Sequence, residues 1–116
     1  AARLDDLVNL IPARLTGGLI CIVAVRWRAV KVMLRDARRH RSPNAGWPEA
    51  AMAGALDIRL SGPRAYEGQT SAEPWLNGEA RDPAPEDLKR GLGLYRNVCV
   101  LAPGILGLMV LAEVLV

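Results

Sequence analysis

Two apolar stretches of 19 residues lie near the two ends of the chain, at residues 7–25 and 98–116. Polar side chains interrupt the earlier stretch only in its first half, at Asn9, Arg14 and Thr16. The later stretch carries one charged residue, Glu113. Because a helix of about 20 apolar residues crosses the hydrocarbon core of a bilayer, the pattern predicts two membrane-spanning helices. For the first stretch, a buried helix of a soluble protein is the alternative.

Basic and apolar residues recur with helical spacing directly after the first stretch, over residues 26–39. One face of such a helix collects five bases, which are Arg28, Lys31, Arg35, Arg38 and Arg39. Another face collects the apolar side chains Val30, Met33, Leu34 and Ala37. The spacing predicts a basic amphipathic helix that continues from the first span.

Residues 40–87 form a polar region between the two predicted spans. A turn is expected at residues 42–46, followed by a short helix with Pro48 and Glu49 in its first turn. Small side chains at residues 50–55 would let this helix pack closely against a neighbour. A long loop is predicted over residues 61–85, where Pro85 opens the last helix. The expected fold is all-α, a fragment of a polytopic helical membrane protein over residues 1–116.

The composition and the distribution of charge favour a membrane setting. The chain is 51% apolar but only 4% aromatic, whereas a soluble core usually draws on aromatic side chains. Seven Lys or Arg residues lie within residues 26–41, against one acid, Asp36. This basic run predicts a cytoplasmic position beside the cell membrane and an anionic partner, such as lipid headgroups or a phosphate. A solvated helix face is the alternative, and with so few aromatics to stack bases we expect no nucleic-acid partner.

The segment from Asp5 to Thr16 contains the first group of residues suited to chemistry. Helical spacing places Asp5 and Asp6 on the same face as Asn9. Two carboxylates and an amide oxygen make a hard site suited to Mg²⁺. The alternative is an acidic helix start in which Arg14 pairs with one of the acids.

The segment from His40 to Glu49 contains the second group, in which five polar side chains surround two turn-forming residues. These side chains are His40, Arg41, Ser42, Asn44 and Glu49. An arginine can bind a phosphate or carboxylate through two parallel hydrogen bonds, and a histidine can transfer protons. The pattern is typical of a ligand-binding loop, although an ordinary polar turn between helices is the alternative.

These two segments resemble the CobD/CbiB family of cobalamin-biosynthesis proteins. They are DDLVNLIPARLT at residues 5–16 and HRSPNAGWPEAAMAGALDIRLSGP at residues 40–63. A weaker motif, Tyr66-Glu67-Gly68, follows at the expected place. The resemblance extends from about Asp5 to the end of the chain and covers little more than the last third of a typical member.

The resemblance implies adenosylcobinamide-phosphate synthase activity, in which an amide forms at the expense of ATP. The implied substrates are adenosylcobyric acid, aminopropanol phosphate or a related aminoalcohol, and ATP with Mg²⁺. The resemblance also implies a multi-pass location in the cytoplasmic membrane, with other cobalamin-synthesis membrane enzymes as candidate partners. Two other functions stay open: a non-catalytic membrane subunit or truncated remnant of this enzyme, and a basic protein that lies on a membrane surface.

We assign roles within this chemistry from residue type. The metal and nucleotide would be held by Asp5, Asp6 and Asn9. Phosphate or substrate groups would be bound by Arg14, Arg41, Ser42 and Asn44. The proton of the attacking amine would pass to His40 or Glu49.

Overall fold

The computed structural model describes residues 2–116, apart from the side chains of Ala2 and Tyr66. The helices are α1 (Ala2–Val8), α2 (Leu10–Ala24), α3 (Trp27–Asp36), α4 (Gly46–Leu56) and α5 (Pro85–Leu115), with a 3₁₀ turn at Ala37–Arg39. The strands are β1 (Leu60–Ser61), β2 (Arg64–Tyr66), β3 (Gln69–Ser71) and β4 (Trp75–Leu76).

The first apolar stretch is not one long helix, which corrects the prediction of a span over residues 7–25. The chain turns at Asn9 and divides the stretch into α1 and α2. The 15 residues of α2 rise about 22 Å, which is shorter than the roughly 30 Å hydrocarbon core of a bilayer. Among the described residues, α5 is the one helix that is long and apolar enough to cross a membrane.

The basic helix is also separate from the stretch before it. Val25 ends α2 in the left-handed region, at φ 52°, and its backbone N–H donates to the Cys21 carbonyl 3.1 Å away. Arg26 is then extended, and α3 begins at Trp27. The predicted continuation from the first span is therefore wrong, because the chain reverses at this point and lets α3 reach α4.

Helix α4 lies between α2 and α3, and its small residues make this arrangement possible. Ala50, Ala51 and Ala53 are fully buried. A Cβ atom added at Gly54 would lie 2.8 Å from the Ala29 Cα atom, so the backbones of α3 and α4 are in close contact there. The prediction of a turn followed by a closely packed, small-residue helix is confirmed.

The prediction of an all-α fold holds in part, because most of the chain is helical but the region expected to be a loop contains four short strands. Strands β1 and β4 pair antiparallel, and β2 and β3 form a second antiparallel pair. The turn between β2 and β3 is made by Glu67 and Gly68, with φ values of 48° and 79°. Positive φ at both central residues is the requirement of a type I′ turn, a common two-residue hairpin turn.

Helix α5 has a packed first part and an exposed second part. It contacts α2 and α4, and Asp87 and Val98 are its buried residues. From residue 103 to the end every side chain is exposed, including the bulky Leu108 and Leu111. The predicted helix start at Pro85 is confirmed, and the last apolar stretch continues from it without a break.

Candidate functional site

The loop at residues 40–45 joins the 3₁₀ turn to α4 and folds tightly over the start of that helix. A Cβ atom added at Gly46 would lie 2.0 Å from the Ala37 carbonyl oxygen and 2.7 Å from the His40 Cβ atom. Only glycine leaves room for this approach. Gly46 thereby fixes the position of His40 over the start of α4.

Ser42 organises the loop through three hydrogen bonds. Its backbone N–H donates to His40 Nδ1 over 2.9 Å. Its hydroxyl oxygen accepts from the backbone N–H groups of Asn44, over 3.3 Å, and Ala45, over 3.2 Å. Because Nδ1 is the acceptor in the first bond, the neutral imidazole carries its proton on Nε2.

The protonated side of His40 faces Glu49. The His40 Nε2 atom lies 3.4 Å from Glu49 Oε2. The His40 side chain is mostly buried, whereas the Glu49 carboxylate is partly open to solvent. The structure thus brings together the two residues predicted to take part in proton transfer, which are nine positions apart in the sequence.

Asn44 connects this loop to the acidic segment at the start of the chain. Its side-chain N–H donates to the Asp6 carbonyl oxygen over 2.9 Å. Its Oδ1 atom is buried and has no hydrogen-bond partner among the described residues. On the neighbouring turn, the Asn9 amide donates to the Asp5 carbonyl oxygen and carboxylate, over 2.9 Å and 3.3 Å. Asp5 and Asn9 therefore share a face, as predicted.

The donor set of the acidic segment suits a magnesium ion, which in nucleotide sites often binds one or two carboxylates together with substrate phosphate. Asp5 is exposed and Asp6 is half-buried, so both carboxylates lie at the surface. No group of three or more His, Cys, Asp or Glu side chains suited to a metal occurs within residues 2–116. The metal role of Asp5, Asp6 and Asn9 stays a prediction.

Arg14 takes neither of the partners that the acidic segment offers. Its Nη1 atom donates to the Leu10 carbonyl oxygen over 2.9 Å. Its guanidinium lies over the Trp47 ring, 4.5 Å from the centroid, in a cation–π contact. The alternative of an ion pair with Asp5 or Asp6 is not formed among the described residues. Arg14 instead joins α2 to the start of α4, below the His40 loop.

Arg41 projects from the same loop and is almost fully exposed, at 84% of its side chain. Its Nη1 atom lies 3.8 Å from Glu73 Oε1. Together with His40 it lines one wall of a cavity of about 110 Å³. The other wall consists of Ser61, Arg64, Ser71 and Glu73. Sequence analysis missed these four residues, because they lie within the region expected to be a long loop.

Sequence reasoning also missed the acids that neutralise the basic helix. Asp36 is fully buried and accepts two hydrogen bonds from Arg35, each of 2.8 Å, and one of 2.8 Å from the Asn77 backbone N–H. Arg35 also contacts Glu79 over 2.8 Å. At the other end of α3, Arg26 and Arg28 both pair with Asp57. These arginines hold the β-strand segment against α3.

The pKa values of the acids reflect these contacts. Burial alone would raise the pKa of Asp36, but the hydrogen bonds from Arg35 and from the Asn77 N–H outweigh it and hold the pKa below its ordinary value. The hydrogen bond from Arg35 likewise lowers the pKa of Glu79. Both carboxylates are therefore ionised at neutral pH.

A third carboxylate anchors the beginning of α5. Asp87 accepts hydrogen bonds of 2.6 and 2.7 Å from Arg81, one of 2.8 Å from Arg90 and one of 2.7 Å from the Ala84 backbone N–H. These contacts, led by those from Arg81, hold the pKa of Asp87 well below its usual range. Arg90 also donates to the Leu56 carbonyl oxygen over 3.3 Å. Through Arg90, this set of contacts around Asp87, which we call the Asp87 clamp, ties α5 to the end of α4.

Comparison with known proteins gives a consistent result. Residues 1–95 match the family described as CobD/Cbib protein. The protein named cobalamin biosynthesis protein CobD from Rhodobacter capsulatus is 62% identical over 110 residues, which are 94% of this chain and 35% of the relative. The CobD protein of a Sinorhizobium species is 48% identical over 112 residues, covering 90% of this chain and 35% of that relative.

A similar protein from Klebsiella pneumoniae, also named cobalamin biosynthesis protein CobD, is 46% identical over 99 residues, or 81% of this chain and 31% of the relative. The chain therefore spans about a third of the length of the curated relatives it matches. No solved structure matches the chain significantly.

Proposed function

The chain belongs to the CobD/CbiB family, and from this membership we propose that it serves cobalamin biosynthesis as part of an enzyme that forms an amide. The proposed reaction joins aminopropanol phosphate, or a related aminoalcohol, to the carboxylate of adenosylcobyric acid. The relatives are named cobalamin biosynthesis protein CobD, which supports this pathway. The particular substrates and the use of ATP are part of our proposal.

The observation that carries the chemical part of the proposal is the contact between His40 and Glu49. An amine that attacks an acyl group must lose a proton, and a carboxylate oriented by an imidazole is a suitable acceptor. Glu49 lies partly open to solvent, where an amine can reach it, while its Oε2 atom is 3.4 Å from His40 Nε2. Glu49 is therefore our candidate general base, and His40 positions it.

A carboxylate needs activation before an amine can displace one of its oxygens. In the proposed reaction the terminal phosphoryl group of ATP is transferred to a carboxylate oxygen of the corrinoid, which releases ADP. The amine nitrogen then forms the new C–N bond, phosphate leaves with that oxygen, and Glu49 takes the amine proton. Mg²⁺ held by Asp5, Asp6 and Asn9 would offset phosphate charge, while Arg14 and Arg41 are candidates for phosphate binding and Ser42 and Asn44 for orienting the substrate.

We also propose that the protein works at the cell membrane. The second part of α5 is long, apolar and exposed, which suits a helix in contact with lipid. A multi-pass location would require further spans, as the CobD/CbiB resemblance implies.

The experiment uses a chimera, because the chain spans about a third of its relatives. The matching 110 residues of the Rhodobacter capsulatus relative are replaced by this chain, and amide product is measured in membranes from a strain that lacks its own synthase. We expect product from the chimera and a decrease in kcat of about 100-fold or more for Glu49→Gln, since general-base catalysis contributes at least that much.

Arg38→Gln serves as the control, because Arg38 is exposed on the 3₁₀ turn and lies outside the cavity. Its turnover should equal that of the unchanged chimera. Full turnover in Glu49→Gln would remove Glu49 from the reaction. An intact chimera with no product while the parent relative is active would favour the non-catalytic subunit.

A further inference from the structure

The cavity between the His40 loop and the β2–β3 hairpin is small and lined mainly by hydrogen-bond donors. Its volume is about 110 Å³, enough for a group of several non-hydrogen atoms. Two guanidinium groups, an imidazole, two hydroxyl groups and one carboxylate line it, from Arg41, Arg64, His40, Ser61, Ser71 and Glu73. Apart from the carboxylate of Glu73, these groups suit the binding of a compact anion.

The hairpin explains why these side chains converge. Arg64 and Ser71 are direct partners in the β2–β3 register, so their side chains stand on the same face of the hairpin. Ser61 ends β1 in the left-handed region, at φ 64°, where the chain turns toward β2. Arg41 approaches from the loop on the other side. The cavity is thus built by residues from three separate parts of the chain.

The carboxylate of Glu73 already contacts two of the donors that line the cavity. Its Oε1 atom accepts a hydrogen bond of 3.0 Å from the Ser71 hydroxyl and lies 3.8 Å from Arg41 Nη1. Glu73 is the more buried partner, with 22% of its side chain exposed against 84% for Arg41. An incoming phosphate would compete with this carboxylate for the same donors.

We propose that this cavity is a subsite for the phosphate group of a substrate, and that Glu73 is an internal stand-in that the phosphate displaces. With Glu73 in place, the two arginines and the carboxylate give the lining a net charge of +1. Once Glu73 moves away, the two arginine charges match a phosphate dianion. The proposal rests on the proposed function for the nature of the substrate, and it adds Ser61, Arg64, Ser71 and Glu73 to the site.

The test measures binding of inorganic phosphate to the full 116-residue chain in lipid nanodiscs by isothermal titration calorimetry. Glu73→Gln should bind phosphate about fivefold more tightly, because it removes a negative charge a few ångströms from the anion. Arg64→Gln and Arg41→Gln should each bind about tenfold more weakly, because each removes a charge-assisted hydrogen bond.

Two matched controls make the same chemical changes outside the cavity. Glu67→Gln alters the exposed tip of the same hairpin, and Arg38→Gln alters an exposed arginine near the same loop. Both should bind phosphate as the unchanged chain does. Because Arg41 is 84% exposed, its replacement tests the cavity even if the Arg64 variant does not fold. Equal affinities for the Glu73 and Glu67 variants, or no loss in Arg41→Gln, would overturn the proposal.

Competition experiments then identify which substrate brings the phosphate. Displacement of inorganic phosphate by aminopropanol phosphate assigns the cavity to the aminoalcohol, and displacement by ATP assigns it to the nucleotide. Displacement by neither would overturn the assignment to a substrate. Because binding is measured without turnover, a Glu73-sensitive phosphate site in a chain whose chimera makes no amide would contradict only the proposed reaction.

Discussion

At the scale of single residues, the buried carboxylate of Asp36 shows how the basic helix is neutralised. The sequence shows seven bases beside one acid and therefore predicts a strongly positive surface. In the fold, Arg35 binds Asp36 and Glu79, although Glu79 lies 44 positions further along the chain. Pairing across such a distance depends on the tertiary fold, so spacing along the sequence cannot reveal it.

Replacing this carboxylate tests its contribution to stability. We expect Asp36→Asn to lower the free energy of unfolding by about 2 kcal/mol, because it weakens hydrogen bonds between Arg35 and a charged partner. The lowered pKa of Asp36 adds a pH dependence, measured by denaturant unfolding between pH 3 and pH 7. The contribution of Asp36 to the free energy of unfolding should be complete above the unfolded-state pKa of about 4. It should disappear as the pH falls through the lower folded-state pKa.

The control is Asp82→Asn, since Asp82 pairs with Arg59 at the surface. That change should lower the free energy of unfolding much less than Asp36→Asn does, because exposed ion pairs contribute little to stability. The free energy of unfolding of Asp36→Asn should change less with pH than that of the unchanged chain. Equal effects of the two substitutions would contradict the role given to Asp36.

The candidate site was partly predictable at the same scale. The grouping of His40, Arg41, Ser42 and Glu49 follows from their closeness in sequence, and the structure keeps the first three in one loop beside Glu49 in the first turn of α4. The contact of Asn44 with the Asp6 carbonyl, 38 positions away, and the stacking of Arg14 on Trp47 depend on how α1 and α2 meet the start of α4. Those contacts required the fold.

At the scale of secondary-structure elements, local composition predicted α4 well and the first apolar stretch badly. The small residues of α4 indicated close packing directly. The break after α2 has no comparable signal, because Val25 is a β-branched residue that rarely adopts positive φ. The two-residue strands β1 and β4 are too short to show an alternating pattern and exist only through pairing across 14 and 16 positions.

The contact between α3 and α4 gives a test of this packing. We expect Gly54→Ala to destabilise the protein by about 1–3 kcal/mol, because the added Cβ overlaps the Ala29 backbone at 2.8 Å and forces the helices apart. Thermal unfolding followed by circular dichroism measures the effect.

Gly18 provides the matched control within α2. A Cβ atom there meets no other atom within 4 Å, and alanine favours a helix over glycine by about 1 kcal/mol. Gly18→Ala should therefore leave the unfolding temperature unchanged or raise it. A Gly54→Ala variant as stable as Gly18→Ala would show that α3 and α4 can separate without cost.

At the scale of the whole molecule, the chain consists of a packed part and an exposed apolar tail, which is the part of α5 from residue 103 onward. The second part of α5 extends with almost no contact to the other elements, and the molecule measures 59 × 37 × 24 Å. We expect the tail to insert into lipid and Leu108→Arg to weaken that insertion by about 2.5–3.5 kcal/mol, the cost of an arginine near the bilayer centre. Flotation with liposomes measures the bound fraction.

Leu88→Arg is the control, because Leu88 lies on the same helix and is 67% exposed, against 68% for Leu108. Leu88 belongs to the first part of α5, beside Asp87, where an arginine would remain in water. Its variant should float with the liposomes as the unchanged chain does. Equal loss of flotation in both variants would mean that the position along α5 has no influence on lipid binding.

The contacts of Asp87 and the packing of Val98 together set the rotation of the tail about its own axis. An α-helix turns by about 100° per residue, so Val98, eleven positions after Asp87, returns to within roughly 20° of the same direction. Gly91 and Leu94 fall on this line between them, and Ile105, at 40% the least exposed bulky side chain of the tail, continues it. In a bilayer, the opposite flank of the tail would therefore turn toward the fatty acyl chains.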